Sequence, residues 1–182
     1  MSYNLWGRLS YMLSPQFDIY EQVSKVVSGK VADIGSGTGF GTHLLVRNAD
    51  YVIGYEMDPT AMKFATRAFS NGSIKFMPAN VCQHMPKNEF DFVTMIDVIE
   101  HIEEDILAVN NCSKMLIYGG TFICSTPNRL SRYRKSDYHA REYSPDELKF
   151  LLKLSFENVK IVDYQLHPIE TEYANPIIGI CQ

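Results

Sequence analysis

A glycine-rich stretch and the acid that follows it along the chain are the first residues whose types and spacing suggest chemistry. Residues 33–41 read Asp-Ile-Gly-Ser-Gly-Thr-Gly-Phe-Gly and directly follow a short apolar run. Such a turn lets the backbone approach a ligand and present its N–H groups. A dinucleotide fingerprint would need glycine at position 40 or 42, where Phe40 and Thr42 stand, and no Gly-Lys-Ser/Thr sequence follows the glycines. The spacing therefore disfavours a pyrophosphate or triphosphate ligand, and with it a nicotinamide enzyme.

The next apolar run ends in Glu56, 23 residues after Asp33. A carboxylate at this position of a nucleoside-binding sheet accepts hydrogen bonds from both hydroxyls of a ribose. Met57 beside it offers an apolar, polarisable surface for an adenine face. An acid after a strand is more often structural when it stands alone, but together with the glycine turn it favours a nucleoside site.

A third segment, Asp97-Val98-Ile99-Glu100-His101, combines two carboxylates with an imidazole. If a helix begins here, positions 97, 100 and 101 share one face, because they are related as i, i+3 and i+4. Such a group can remove a proton from an acceptor hydroxyl. The alternative is structural, with His101 capping and orienting the helix.

The pattern of apolar runs and turn residues predicts the elements that must position these residues. Apolar strands alternate with helical segments, which indicates right-handed crossovers and helices on both faces of a sheet. The last two strands have no helix between them. We therefore predict an α/β fold, a doubly wound and mostly parallel seven-stranded sheet with an antiparallel C-terminal edge hairpin. Ligands bind such sheets at the carboxyl ends of the strands.

Length and composition indicate a single domain over residues 1–182, with 1–28 as an N-terminal helical lid segment and 29–182 as the core. The chain is 46% apolar, and its 21 acidic and 17 basic residues give a charge of -4. This balance argues against a general nucleic-acid or membrane-surface binder. The four cysteines show neither disulfide nor zinc spacing. Because no signal-like start or run of roughly 18 apolar residues is present, we expect a cytoplasmic protein without a membrane partner.

The ordered series DIGSGTG, GYEMD, PANVCQHMP and FDFVTMIDVIEHI resembles the class I S-adenosylmethionine-dependent methyltransferases over about residues 25–181. The resemblance implies that the glycine turn holds the methionine part of S-adenosylmethionine, that Glu56 binds the ribose and that Met57 covers one adenine face. Asn80 stands where an aspartate is frequent and would meet the adenine edge. The cofactor-binding residues implied in this way are Asp33, Gly35, Ser36, Gly37, Gly39, Glu56, Met57, Asn80, Val81 and Asp97.

The segment around His101 resembles two groups of methyltransferases, and both imply oxygen as the methyl acceptor. One group comprises the ubiquinone-pathway O-methyltransferases. The other comprises metal-dependent RNA 2′-O-methyltransferases, in which an acid-x-x-Glu-His segment and a later histidine bind a divalent cation. That ligand set maps here to Asp97, Glu100, His101 and His139. We expect a small-molecule acceptor and His101, Glu100 and His139 as the catalytic residues. A divalent metal is an open alternative that we do not favour, and an RNA enzyme and a cofactor-binding protein without turnover are the alternative functions.

Two further segments are expected to shape the acceptor pocket. The first is the loop 127–143, in which residues 129–141 include five basic residues against one acid, interleaved with two tyrosines and a histidine. Basic residues among aromatics can bind RNA or a phosphorylated metabolite, although a solvated loop has the same composition. In the N-terminal segment, Tyr3, Trp6, Tyr11 and Met12 would either fold over the cofactor as a lid or pack in the core.

Overall fold

The computed structural model describes residues 15–131 and 136–182. The aromatic residues of the predicted lid and Arg132, Arg134 and Lys135 of the basic loop lie outside these ranges. None of the helices within them is long and apolar enough to cross a membrane.

Seven strands form one sheet in the order β3-β2-β1-β4-β5-β7-β6. The first five strands run parallel to one another, and β7 is antiparallel to both of its neighbours, β5 and β6. The predicted fold class is confirmed, including the antiparallel C-terminal edge, in which β7 lies between β5 and β6. The strands are β1 (Lys30–Ile34), β2 (Tyr51–Glu56), β3 (Ile74–Pro78), β4 (Phe90–Ile96), β5 (Leu116–Thr126), β6 (Val159–Val162) and β7 (Ile177–Cys181).

Helices cover both faces of the sheet. Their bounds are α1 (Pro15–Ser24), α2 (Phe40–Leu45), α3 (Pro59–Phe69), α4 (Asp105–Met115) and α5 (Pro145–Lys153), and a single 3₁₀ turn spans Ile99–His101. Two helices begin with side-chain caps. The Asp58 side chain accepts hydrogen bonds from the first turn of α3, and Ser144 forms a capping box with Glu147 at the start of α5.

Two apolar layers hold the sheet between the helices. On one face, α1 and α2 bury Ile19, Val23 and Leu44 against β1 and β2. On the other face, α4 and α5 bury Val109 and Leu148 against the sheet. The described part of the predicted lid segment, α1, thus packs in the core. The predicted site residues lie at and just after the carboxyl ends of the parallel strands, where α1 also contributes contacts through Tyr20.

Asn128 joins the loop after β5 to the segment before β7. Its side chain is fully buried and donates hydrogen bonds to the carbonyl oxygens of Glu172 and Ala174, each at 2.7 Å. Its backbone N–H donates to Asn175 Oδ1 at 2.7 Å. Buried polar groups without partners are costly, so this set of bonds fixes the two loops relative to each other. One of these loops leads to His139.

Candidate functional site

The glycine turn after β1 has a backbone that only glycine adopts readily. Gly35 and Gly39 have φ angles of 68° and 83°, in the region that side chains disfavour. A Cβ atom at Gly35 would lie 2.5 Å from Val98 Cγ2, and one at Gly39 would lie 2.6 Å from Phe76 Cζ. Side chains from β3 and from the segment after β4 therefore contact the turn so closely that they leave no room for a Cβ atom at these two positions.

Asp33 lies beneath this turn and is fully buried. Its Oδ1 accepts hydrogen bonds from Tyr20 Oη at 3.0 Å and Thr94 Oγ1 at 2.9 Å, and its Oδ2 accepts one from Thr42 Oγ1 at 2.7 Å. Burial raises the pKa of Asp33 to about 6, although the three hydroxyl donors act in the opposite direction. The carboxylate thus supports the turn from below, and its contact with the methionine part of the cofactor stays a prediction.

Glu56 joins the glycine turn to the end of β2. Its Oε2 accepts a hydrogen bond from the Gly37 backbone at 2.7 Å, and its Oε1 accepts one from the Asp58 backbone at 2.8 Å. These bonds hold the carboxylate at the edge of the sheet, with Met57 beside it 69% exposed. An oriented acid and an uncovered thioether are the arrangement expected for the ribose and adenine of a nucleoside.

A cleft of about 570 Å³ opens at this edge of the sheet. Its volume is typical of sites for cofactors and other small molecules. Seven of the predicted residues line it: Gly35, Glu56, Met57, Asn80, Val81, Asp97 and His101. The other predicted residues, Asp33, Ser36, Gly37, Gly39, Glu100 and His139, are not part of its lining. The rest of the wall consists of residues that the sequence analysis did not single out as site residues, namely Ile34, Tyr55, Ala79, Cys82, Val98, Ile102, Glu103 and Glu104.

The loop after β3 is fixed by a residue that the sequence analysis missed. Asn111 of α4 donates hydrogen bonds to the carbonyl oxygens of Val81 at 2.8 Å and Gln83 at 3.2 Å. Within the loop, Asn80 Oδ1 accepts a hydrogen bond from the Cys82 backbone at 2.9 Å. An asparagine on a helix gives no sequence signal for such a role, because its partners lie 30 and 28 residues away in the chain.

Asp97 directly follows β4 and has a left-handed conformation, with φ at 52°. Its backbone donates a hydrogen bond to Ser125 Oγ, and that hydroxyl donates to Asp97 Oδ1 at 2.7 Å. Burial raises the pKa of Asp97, against the effect of hydrogen bonds from Ser125 and Gln16. The predicted helical face over 97–101 is wrong, since only Ile99–His101 form a 3₁₀ turn and Val98 is not helical. The bend after β4 separates Asp97 from the following turn.

Glu100, His101 and His139 form a compact group, called here the histidine cluster. One ligand atom from each of the three residues lies within 4.8 Å of the others. Asp97 is not part of this group, so the structure assembles three of the four residues in the predicted metal set. Glu100 is only 1% exposed, and its Oε2 accepts no hydrogen bond from the residues that the structure describes. Burial, with a smaller effect of Asp97, raises the pKa of Glu100 to about 8.

Both histidines of the cluster are held through Nδ1. His101 Nδ1 lies 3.0 Å from the carbonyl oxygen of Tyr138, and His139 Nδ1 lies 3.2 Å from Glu142 Oε1. The two ring centroids are 5.0 Å apart. Because a carbonyl oxygen only accepts, His101 Nδ1 carries the proton and the Nε2 of the neutral ring is the basic nitrogen. Tyr138 and Glu142 belong to the loop predicted to border the acceptor pocket, but the sequence did not indicate their pairing with the histidines.

The fold and the cleft define a protein of the class I methyltransferase type, and the comparisons with known proteins agree. A family model described as "Methyltransferase domain" matches residues 32–124. The chain belongs to this methyltransferase domain family, in which S-adenosylmethionine is the cofactor.

Individual relatives place the chain within this class. It is 29% identical over 141 residues to a probable S-adenosylmethionine-dependent methyltransferase of Mycobacterium tuberculosis, covering 74% of this chain and 51% of that protein. It is 28% identical over 126 residues to the ubiquinone biosynthesis O-methyltransferase of Aliivibrio fischeri, covering 67% and 51%. The chain thus spans about half the length of these curated relatives. An S-adenosylmethionine-dependent methyltransferase structure from Clostridium acetobutylicum superposes with a TM-score of 0.77 at 14% identity, covering 98% and 99% of the two chains.

Replacing Glu56 tests the ribose assignment. We expect Glu56→Ala to weaken S-adenosylhomocysteine binding by about 1.5–3 kcal/mol, because two hydrogen bonds to a charged acceptor are lost. Isothermal titration calorimetry measures this affinity. Glu89→Ala is the matched control, since Glu89 pairs with Lys30 away from the cleft and its loss should leave the affinity unchanged. Equal affinities for the Glu56 variant and the wild-type protein would remove the assignment.

Asp33 should make the stability of the protein depend on pH. Its pKa is raised in the folded state to about 6, so its contribution is fully present below the unfolded pKa and is lost as the pH rises through about 6. Relative to Asp33→Asn, the wild-type protein should therefore lose about 2–3 kcal/mol of unfolding free energy between about pH 4 and pH 7.5. Urea unfolding of both proteins at the two pH values measures the difference. Exposed Asp50, replaced by Asn, should show no such change, and a pH-independent difference for Asp33→Asn would contradict the expectation.

Proposed function

We propose that this chain transfers a methyl group from S-adenosylmethionine to an oxygen atom of a small molecule. The observation that carries the proposal is the placement of His101. It lines the cleft, and its Nδ1 is held by the Tyr138 carbonyl, so that a basic Nε2 is available beside the cofactor site. A hydroxyl acceptor must lose a proton during methylation, and a histidine with this orientation is suited to take it.

The cofactor half of the proposal rests on the fit of the cleft to a nucleoside. Glu56 would accept hydrogen bonds from the ribose hydroxyls, Met57 would lie against the adenine, and Asp97 would face the ammonium group. When bound, S-adenosylmethionine supplies a methyl group on a positively charged sulfur, which needs no further activation by the protein. The chain then has to align the acceptor oxygen with the methyl group and to exclude water.

His101 performs the proton transfer in this mechanism. As the acceptor oxygen gains the methyl group, its proton passes to His101 Nε2, and S-adenosylhomocysteine and the methyl ether are the products. The Tyr138 carbonyl keeps the ring oriented during the transfer. The carboxylate of Asp97 favours the imidazolium that forms, because the opposite charges of these two side chains attract each other. Support from the comparisons comes from the relatives named ubiquinone biosynthesis O-methyltransferase.

His101→Gln tests this role. We expect methyl transfer to fall by about 100-fold or more, the typical contribution of a general base, while S-adenosylhomocysteine affinity stays within about twofold of wild type. The measurement is transfer of tritium from methyl-labelled S-adenosylmethionine to a panel of phenols and catechols, followed by solvent extraction. The exposed His84, replaced by Gln, is the control and should transfer at the wild-type rate. A His101→Gln enzyme as fast as wild type would overturn the assignment.

The histidine cluster favours a second candidate, a metal-dependent RNA 2′-O-methyltransferase. Glu100, His101 and His139 bring a carboxylate and two imidazoles together, a mixed ligand set that suits manganese or a similar ion better than magnesium. The buried Glu100 oxygen without a hydrogen bond fits a cation in the same place. Contacts of the two Nδ1 atoms with Tyr138 and Glu142 are the supports that metal-binding histidines usually have. A cation there would lower the pKa of a ribose hydroxyl.

Manganese titration separates the two candidates. If the cluster binds metal, Mn²⁺ should bind the wild-type protein in a calorimetric titration, and Glu100→Gln and His139→Gln should each weaken binding by about 10-fold or more. His84→Gln should bind Mn²⁺ as the wild type does. Absence of Mn²⁺ binding, with or without S-adenosylhomocysteine, would eliminate the metal-dependent candidate. Tight S-adenosylhomocysteine binding without methyl transfer to phenols, catechols or small RNA would instead indicate a cofactor-binding protein without turnover.

A further inference from the structure

A surface groove between α4 and α5 adjoins the candidate active site, and Glu103 and Glu104 line both the groove and the cleft. We propose that this groove docks an amphipathic segment of a partner protein that carries apolar and basic side chains. The argument rests on three properties of the groove, namely its length, its exposed apolar side chains and its charge.

Two adjoining cavities form the groove. Their volumes are about 710 Å³ and 580 Å³, and they share Ile106, Arg141 and Leu154 in their walls. Together they run along both helices, which is the shape that accommodates a peptide segment. A helix docks into such grooves through apolar side chains at i, i+3, i+4 and i+7.

The apolar side chains that line the groove are exposed to solvent. Phe150 is 70% exposed, Ile106 55% and Leu154 51%. Phe150 on α5 and Leu154 at its C-terminal cap are four residues apart, and Ile106 lines the same cavity from α4. Single exposed apolar residues are ordinary, but contiguous ones on two neighbouring helices are typical of an interaction surface.

The charge of the groove selects the chemistry of the occupant. Six acidic residues line it against one basic residue, Arg141, which already pairs with Asp105 at 2.5 Å. Three of the acids, Glu103, Glu104 and Asp146, are exposed and form no ion pair with any residue in the described ranges. The acidic side chains lining the two cavities are Glu103, Glu104, Asp105, Glu142, Asp146 and Glu147.

This charge argues against the other occupants that an apolar surface can have. Nucleic acid and anionic lipid headgroups carry phosphates, which the acids would repel. A second copy that docked through the same groove about a two-fold axis would place acids against acids. In a segment with lysines or arginines beside its apolar residues, the apolar residues can pack against those of the groove and the basic residues can pair with its acids.

Fluorescence anisotropy with two labelled peptides tests the proposal. The first peptide, about 18 residues long, places leucines at helical spacing and lysines at the remaining positions, and the second replaces every lysine by glutamate. We expect the lysine peptide to bind with micromolar affinity and the glutamate peptide to bind at least tenfold more weakly. The double variant Phe150→Ser with Leu154→Ser should reduce affinity for the lysine peptide at least tenfold. The triple variant Glu103→Gln, Glu104→Gln and Asp146→Asn should reduce the affinity and its dependence on salt.

Tyr118→Ser is the control variant, because Tyr118 is a fully exposed aromatic residue on β5 that lines neither cavity. It should bind the lysine peptide as the wild type does, and circular dichroism verifies that each variant is folded. Equal binding of both peptides, or binding that the groove variants leave unchanged, would overturn the proposal. A wild-type dimer in sedimentation that becomes a monomer in the Phe150 and Leu154 variant would assign the groove to a second copy instead. None of these measurements depends on methyl transfer, so they stand apart from the proposed function.

Discussion

The buried carboxylate of Asp33 is the interaction on which the cofactor side of the structure depends. It receives hydroxyl hydrogen bonds from α1, α2 and β4 through Tyr20, Thr42 and Thr94. A carboxylate without water is costly unless donors surround it, so this one fixes the relative positions of the elements that supply the donors. The start of the glycine turn, directly after Asp33, is thereby fixed in position. Its backbone can then meet Glu56 at the end of the neighbouring strand.

The histidine cluster is built in a different way. His139 lies on a loop whose position depends on Asn128, because the buried amide binds the segment before β7 and its flanking backbone pairs with Tyr143. Glu142 then orients His139, and Tyr138 orients His101. Polar contacts between loops, rather than a helix or strand, thus place the imidazoles. The glycine turn and the histidine cluster therefore rest on separate sets of hydrogen bonds.

Features encoded within one segment could be predicted from the sequence. The strands, the capped helices, the glycine turn and the acid at the end of β2 each depend on residues close together in the chain, and the parallel topology follows from their alternation. Contacts between distant segments could not be predicted in this way. The partners of Asp33 come from three elements, and His101 is linked to Tyr138 across 37 residues. The prediction of a helical face over 97–101 was wrong for the same reason, since hydrogen bonds with Ser125 on β5 hold the bend at Asp97.

Glu100 connects the two candidate functions, because its buried carboxyl group can carry a proton or bind a metal ion. With its pKa raised to about 8 by burial, the side chain is mostly protonated at neutral pH and adds no charge beside Asp97. Metal ligation requires the carboxylate, so a cation in the cluster would have to displace this proton. A proton and a divalent cation therefore compete for the same buried group. With the proton in place, His101 keeps a basic Nε2 for an acceptor hydroxyl, whereas a bound cation would occupy that nitrogen and leave the ring unable to act as the base.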